Sequence, residues 1–157
     1  MKGEPRVVKT LNSLLADELT AINQYIVHAE MCDNWGYDRL HGLIEKRAIQ
    51  EMKHAEMLIG RIIFLDGTPR VDKLNAIKIG PDVGKQLASD LDSEHEAVRA
   101  YNEAIKLADQ AKDAVTRVML EQIAHDEDEH VDWLEEQLDE IKQMGLELYL
   151  SVQVKKE

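Results

Sequence analysis

The chain has 157 residues, 44% of them hydrophobic and 32% charged, with a net charge of −12. This composition suits one globular domain over 1–157 with a sizeable core, and it excludes a disordered segment. The acidic balance argues against nucleic acid as a partner, and no apolar run reaches membrane-spanning length. Cys32 is the single cysteine, so no intrachain disulfide forms, and a soluble protein of the reducing cytoplasm is expected.

The first helical pattern runs from about Pro5 to Asn34, opened by proline and closed by Trp35-Gly36. The second runs from about Asp38 to Leu65 and stops at "DGTP", residues 66–69. The third spans about Asp82 to Gln110, and the fourth about Asp113 to Met144, ending at Gly145. The tail "LELYLSVQVKKE" carries one more short helix. The connections between helices one and two and between three and four are short, so each pair forms an antiparallel hairpin. The link over residues 66–81 is longer. At about 3.3 Å per residue it reaches most of the way along a helix of about 42 Å. Helices two and three therefore run parallel. The expected fold is all-α: an antiparallel four-helix bundle with one long crossover and a short C-terminal helix.

Two segments carry unusual polarity. "IQEMKHAEML", residues 49–58, places Glu51 and His54 three apart, and "AHDEDEHVDWL", residues 124–134, repeats that spacing with Glu127 and His130. On a wheel of about 100° per residue, Ile44, Leu58 and Ile62 fall within about 20° of Glu51, so Glu51 and His54 lie on the apolar face. Glu127 sits likewise among Leu120, Ile123, Leu134 and Leu138. Mid-helix Glu18 is flanked by Leu11, Leu14, Ile22 and Tyr25, and Glu94 by Leu87, Leu91, Val98, Tyr101 and Ile105.

The two halves superimpose with an offset of 76 positions, which pairs Glu18 with Glu94, Glu51 with Glu127, His54 with His130 and Tyr25 with Tyr101. Each hairpin thus supplies one glutamate from its first helix and one Glu-x-x-His from its second, all near mid-helix. Four carboxylates desolvated together without cations would cost several kcal/mol each and repel one another. Two divalent cations neutralise them, with two imidazoles completing the shell. The set has too much oxygen for structural zinc and too much imidazole for calcium; it suits iron or manganese. A purely structural acidic bundle would leave the four carboxylates unpaired. Tyr25 and Tyr101 pack in the core and can hydrogen-bond a ligand carboxylate. His28, His41, His95 and His125 fall outside the register and read as surface residues.

Over its whole length the chain resembles the bacterioferritins. The resemblance rests on "MKGEPRVVKTLNSLLADELTAINQY", "EMKHAE", "DEDEHVDWLE" and the crossover. It implies that Glu18 and His54 are terminal ligands of one iron, Glu94 and His130 of the other, and that Glu51 and Glu127 bridge the two. It further implies a ferroxidase using dioxygen or peroxide, a hollow 24-subunit shell built from twofold dimers that stores ferric mineral, and a small ferredoxin as electron donor. Met52, with Ile49, Ile59 and Ile63, falls about 80–160° from Glu51, on a second apolar stripe turned out of the bundle. Such a stripe calls for burial against another subunit. The resemblance makes Met52 the ligand of a b-type haem, one per subunit pair, with Leu19, Ile22, Asn23 and Ile26 lining its pocket.

Some ferritin-like shells have an additional inner-surface iron pair near the second helix. Lys46 and Gln50 stand close to that place, and neither is a good iron ligand. A rubrerythrin-like peroxidase needs a cysteine-rich iron domain, which a single cysteine excludes. A miniferritin lacks the paired E-x-x-H. A haem-free ferritin or another di-iron carboxylate oxidase is the nearest alternative, and Met52 argues against it.

Overall fold

Glu4 starts the first helix by accepting a hydrogen bond from the Val7 N–H at 3.3 Å, with Pro5 in the first turn, where its missing N–H costs nothing. In the computed structural model, which describes residues 1–154, five helices follow one another: α1 (Pro5–Asn34), α2 (Asp38–Phe64), α3 (Val83–Gln110), α4 (Ala114–Met144) and α5 (Leu146–Ser151). Asp82 and Asp113, read from sequence as first helical residues, are instead the side-chain caps of α3 and α4. Gly36, at φ 80°, turns the chain between α1 and α2 in a conformation that disfavours any residue with a Cβ. The tail forms the predicted helix only as far as Ser151; residues 155–157 lie outside the described residues.

Helix α1 packs along α2 and α3 along α4, and the hairpins join mainly through α1 and α3. Apolar residues gather in two cores. One contains Leu11, Leu15, Leu58, Ile62, Leu120 and Ile123. The other contains Leu40, Ile44, Leu87, Leu134 and Tyr149. Between them lies a polar layer, described below. Helix α5 closes the second core, with the buried Tyr149 hydroxyl donating to Gln137 at 2.8 Å.

The crossover climbs α1 on a ladder of side chains. Asn12 donates to the Thr68 carbonyl and accepts from the Arg70 N–H; Thr20 accepts from the Asn75 N–H; Gln24 accepts from the Lys78 N–H. At the top, His28 Nε2 accepts from the Gly80 N–H at 3.0 Å. Its Nδ1–H therefore faces Asp90, 2.9 Å away, and Asp90 also accepts from Gln24 at 2.8 Å. His28 is fully buried, which corrects its assignment to the surface. The face of α1 that looked solvated is covered by the crossover, which a helical wheel does not represent. Gly80 packs so tightly that a Cβ there would lie 2.3 Å from the Gln86 backbone nitrogen. His41 is partly buried, its Nδ1–H donating to the Ala29 carbonyl, while His125 is exposed as expected and His95 partly so.

Candidate metal centre

Each long helix delivers its polar residue to the layer between the two cores. Glu18 comes from α1, Glu51 and His54 from α2, Glu94 from α3, and Glu127 and His130 from α4; none is more than 3% exposed. All six predicted residues are thereby brought together. They form two overlapping groups, Glu18, Glu51, His54 and Glu127, and Glu51, Glu94, Glu127 and His130. Within each group one donor atom per residue lies within 4.8 Å of every other. Glu51 and Glu127 belong to both.

The Nδ1 atoms of both histidines point into the layer. His54 Nδ1 lies 2.9 Å from Glu127, 3.3 Å from Glu51 and 3.5 Å from Glu18. His130 Nδ1 lies 2.9 Å from Glu51, 3.4 Å from Glu94 and 3.6 Å from Glu127. Several of these contacts are close but misaligned. Among the described residues Glu18 Oε2, Glu51 Oε1, Glu94 Oε2, Glu127 Oε1 and His130 Nδ1 are buried without a hydrogen-bond partner. Each such group costs about 1–3 kcal/mol if left unsatisfied. Lone pairs aimed at shared points, from an oxygen-rich set with one imidazole per group, fit two divalent transition-metal ions.

Without cations, protons must take up the strain. Burial and the neighbouring Glu51 hold the Glu18 carboxyl well above its usual range, and burial with Glu127 does the same for Glu94. Burial also opposes a charge on His130, but the close carboxylates of Glu127, Glu51 and Glu94 outweigh it and push the imidazole up to about 11. His54 is raised in the same way by Glu127, Glu18 and Glu51, again against burial.

The hydroxyls of Tyr25 and Tyr101 donate to Glu94 and Glu18, each reaching the glutamate of the opposite half. The second imidazole nitrogens have partners that the sequence reading did not identify. His54 Nε2–H donates to Asp126 at 2.9 Å, and His130 Nε2–H donates to Gln50 at 2.8 Å. The signal was available, because the offset of 76 positions also maps Gln50 onto Asp126. A cavity of about 210 Å³ beside Asp17, Asn75, Lys78 and Glu96 opens to the layer at Glu18, Glu51, Glu94 and Glu127. Met52 lies outside this layer. It is 45% exposed, and Ile49, Ile63 and Phe64 are exposed with it, so α2 does present a second apolar face.

Two overlapping ligand groups in one buried layer, in a bundle with a single long crossover, place the protein in the ferritin-like class. Residues 8–144 match the ferritin-like domain family. The chain is 41% identical to the bacterioferritin of Mycolicibacterium paratuberculosis over 95% of its length and 94% of that protein's. It is 40% identical to that of Brucella melitensis, covering 95% and 92%, and 38% identical to a protein named bacterial ferritin from Synechocystis, covering 98% and 99%. The chain belongs to the bacterioferritin family.

Proposed function

We propose that this protein is a cytoplasmic iron store, which takes in ferrous iron, oxidises it at the buried centre and keeps the ferric product inside a shell of 24 copies. The observation that carries this reading is the pair of ligand groups sharing Glu51 and Glu127. In the proposed assignment, Glu18 and His54 hold one iron, Glu94 and His130 the other, and Glu51 and Glu127 contact both. Bound ferrous iron supplies the electrons that dioxygen or peroxide accepts. The protein supplies the rest. The two apolar cores close the layer to water at its two ends, Tyr25 and Tyr101 orient the terminal glutamates, and Asp126 and Gln50 fix the imidazoles with Nδ1 turned inward. The acid-lined cavity beside Asp17 and Glu96 gives cations a path inward.

The outer stripe of α2 supports the remaining parts of the reading. Ile49, Met52 and Ile63 would be buried against a second copy across a twofold, the unit from which the shell is built. Met52 is the only sulfur donor on that stripe. Two copies of it facing each other would hold a b-type haem, one per subunit pair, that passes electrons from a small ferredoxin toward the stored mineral. No helix among the described residues is long and apolar enough to cross a membrane, and Cys32 is buried and free, as suits a reducing compartment. A haem-free ferritin or another di-iron carboxylate oxidase is the competing reading. The visible spectrum of the purified protein separates the two by the presence of a haem band.

The centre is tested by Glu51→Ala and Glu127→Ala. Each removes a carboxylate common to both groups, so rapid oxidation of added ferrous iron is lost. Assembly remains, because all six side chains belong to one subunit. Wild-type oxidation rates in either variant would overturn the assignment.

A further inference from the structure

The internal repeat is kept at every position that faces the centre: Glu18 and Glu94, Glu51 and Glu127, His54 and His130, Tyr25 and Tyr101. It is broken one step out. Behind His54 stands the carboxylate of Asp126, and behind His130 the amide of Gln50, at nearly equal distances of 2.9 and 2.8 Å. The geometry is symmetric and the charge is not.

We propose that this break makes the two halves of the centre unequal, the half carrying His54 binding a divalent cation more tightly than the half carrying His130. The inference rests on the metal-centre reading above and deepens it. Both imidazoles donate from Nε2, so both offer Nδ1 to a cation. A carboxylate behind the ring stabilises the positive charge that the imidazole takes on as Nδ1 donates its electron pair. A neutral amide fixes the ring as well but offsets less of that charge. Outer partners of this kind change metal affinity by about 10- to 100-fold. Along the cavity the breaks offset one another: the same 76-position register sets Asp17 against Ser93 but also Thr20 against Glu96. The charge difference between the halves therefore rests on the partners behind the two imidazoles. Asp126 and Gln50 act as positioning residues; neither belongs to the ligand groups.

The test uses the assembled, metal-free protein and redox-inert Co(II). Stepwise binding alone does not decide, since two cations sharing carboxylates repel and would load in steps at identical sites. Location does decide. With one Co(II) per subunit, anomalous scattering from crystals should place most of the metal beside His54, by about tenfold over the His130 side. Asp126→Asn should equalise the two occupancies while weakening the first calorimetric step about tenfold. Gln50→Asp should equalise them by tightening the His130 side. Equal occupancy in the wild type would overturn the proposal, as would a preference that neither variant changes; in both cases the metal centre itself would stand. Should Co(II) fail to enter the layer at all, the metal-centre reading falls and this inference with it.

Discussion

Tyr101 on α3 donates its hydroxyl proton to Glu18 on α1, a residue 83 positions earlier. Tyr25 on α1 returns the arrangement by donating to Glu94 on α3. Glu18 and Glu94 are thus each held by the opposite hairpin, and each phenol satisfies one of the buried oxygens that would otherwise lack a partner.

Removing one of these hydroxyls should matter most when no metal is bound. Tyr101→Phe leaves Glu18 Oε1 buried without its donor, a loss of about 1–3 kcal/mol. Calorimetric melting of the metal-free variant should show a clear drop. With zinc in the layer the drop should be smaller, because a cation satisfies the same oxygen. Equal drops in both states would mean that Glu18 does not face a bound cation.

The metal-free protein should lose stability as the pH rises. Glu18 and Glu94 are held above their usual range, so the folded state keeps protons that the unfolded chain releases. His130 behaves in the same sense. Its contribution is complete below about 6.5 and is withdrawn as the pH climbs to about 11. The melting temperature of the metal-free form should therefore fall between about pH 7 and pH 10. Zinc should displace these protons, releasing them into weakly buffered solution and flattening the pH profile. Binding without proton release would contradict the proposed protonation of the layer.

Met52→Leu keeps size and apolarity, so packing against a second copy should change by less than about 1.5 kcal/mol. The shell should assemble and oxidise ferrous iron at the wild-type rate, while the haem content falls close to zero. Release of stored iron under an external reductant should slow. A variant with an unchanged haem spectrum would reduce Met52 to an interface residue.

The bundle was legible because its polar residues contradict their surroundings. A glutamate flanked by Leu11, Leu14 and Ile22 cannot be explained by solvation, and its repetition at Glu94 excludes accident. Helix boundaries at Pro5, Asn34 and Met144 followed from proline, glycine and short polar turns. What was not legible belongs to contacts between segments. His28 was read from its position on α1 alone, but its environment is set by Gly80 and Asp90, which the crossover and α3 bring to it. Asp126 lies in a run of acidic residues in which nothing local distinguishes it from Asp128; its match to Gln50 across the repeat marks the position, and its approach to His54 gives it a role. Gln50 is a poor iron ligand, and its use as a hydrogen-bond acceptor depends on His130, which α4 brings to it from 80 positions away.

The crossed pairing of the two hairpins has a consequence for biosynthesis. The first hairpin alone carries Glu18, Glu51 and His54, with no Tyr101 to hold Glu18 and no Glu127 to share between ions. As the chain leaves the ribosome, this half therefore has neither a complete cage nor the charge to retain a pair of cations. In the proposed assignment, tight capture of a cation pair would therefore begin only once α3 and α4 have docked.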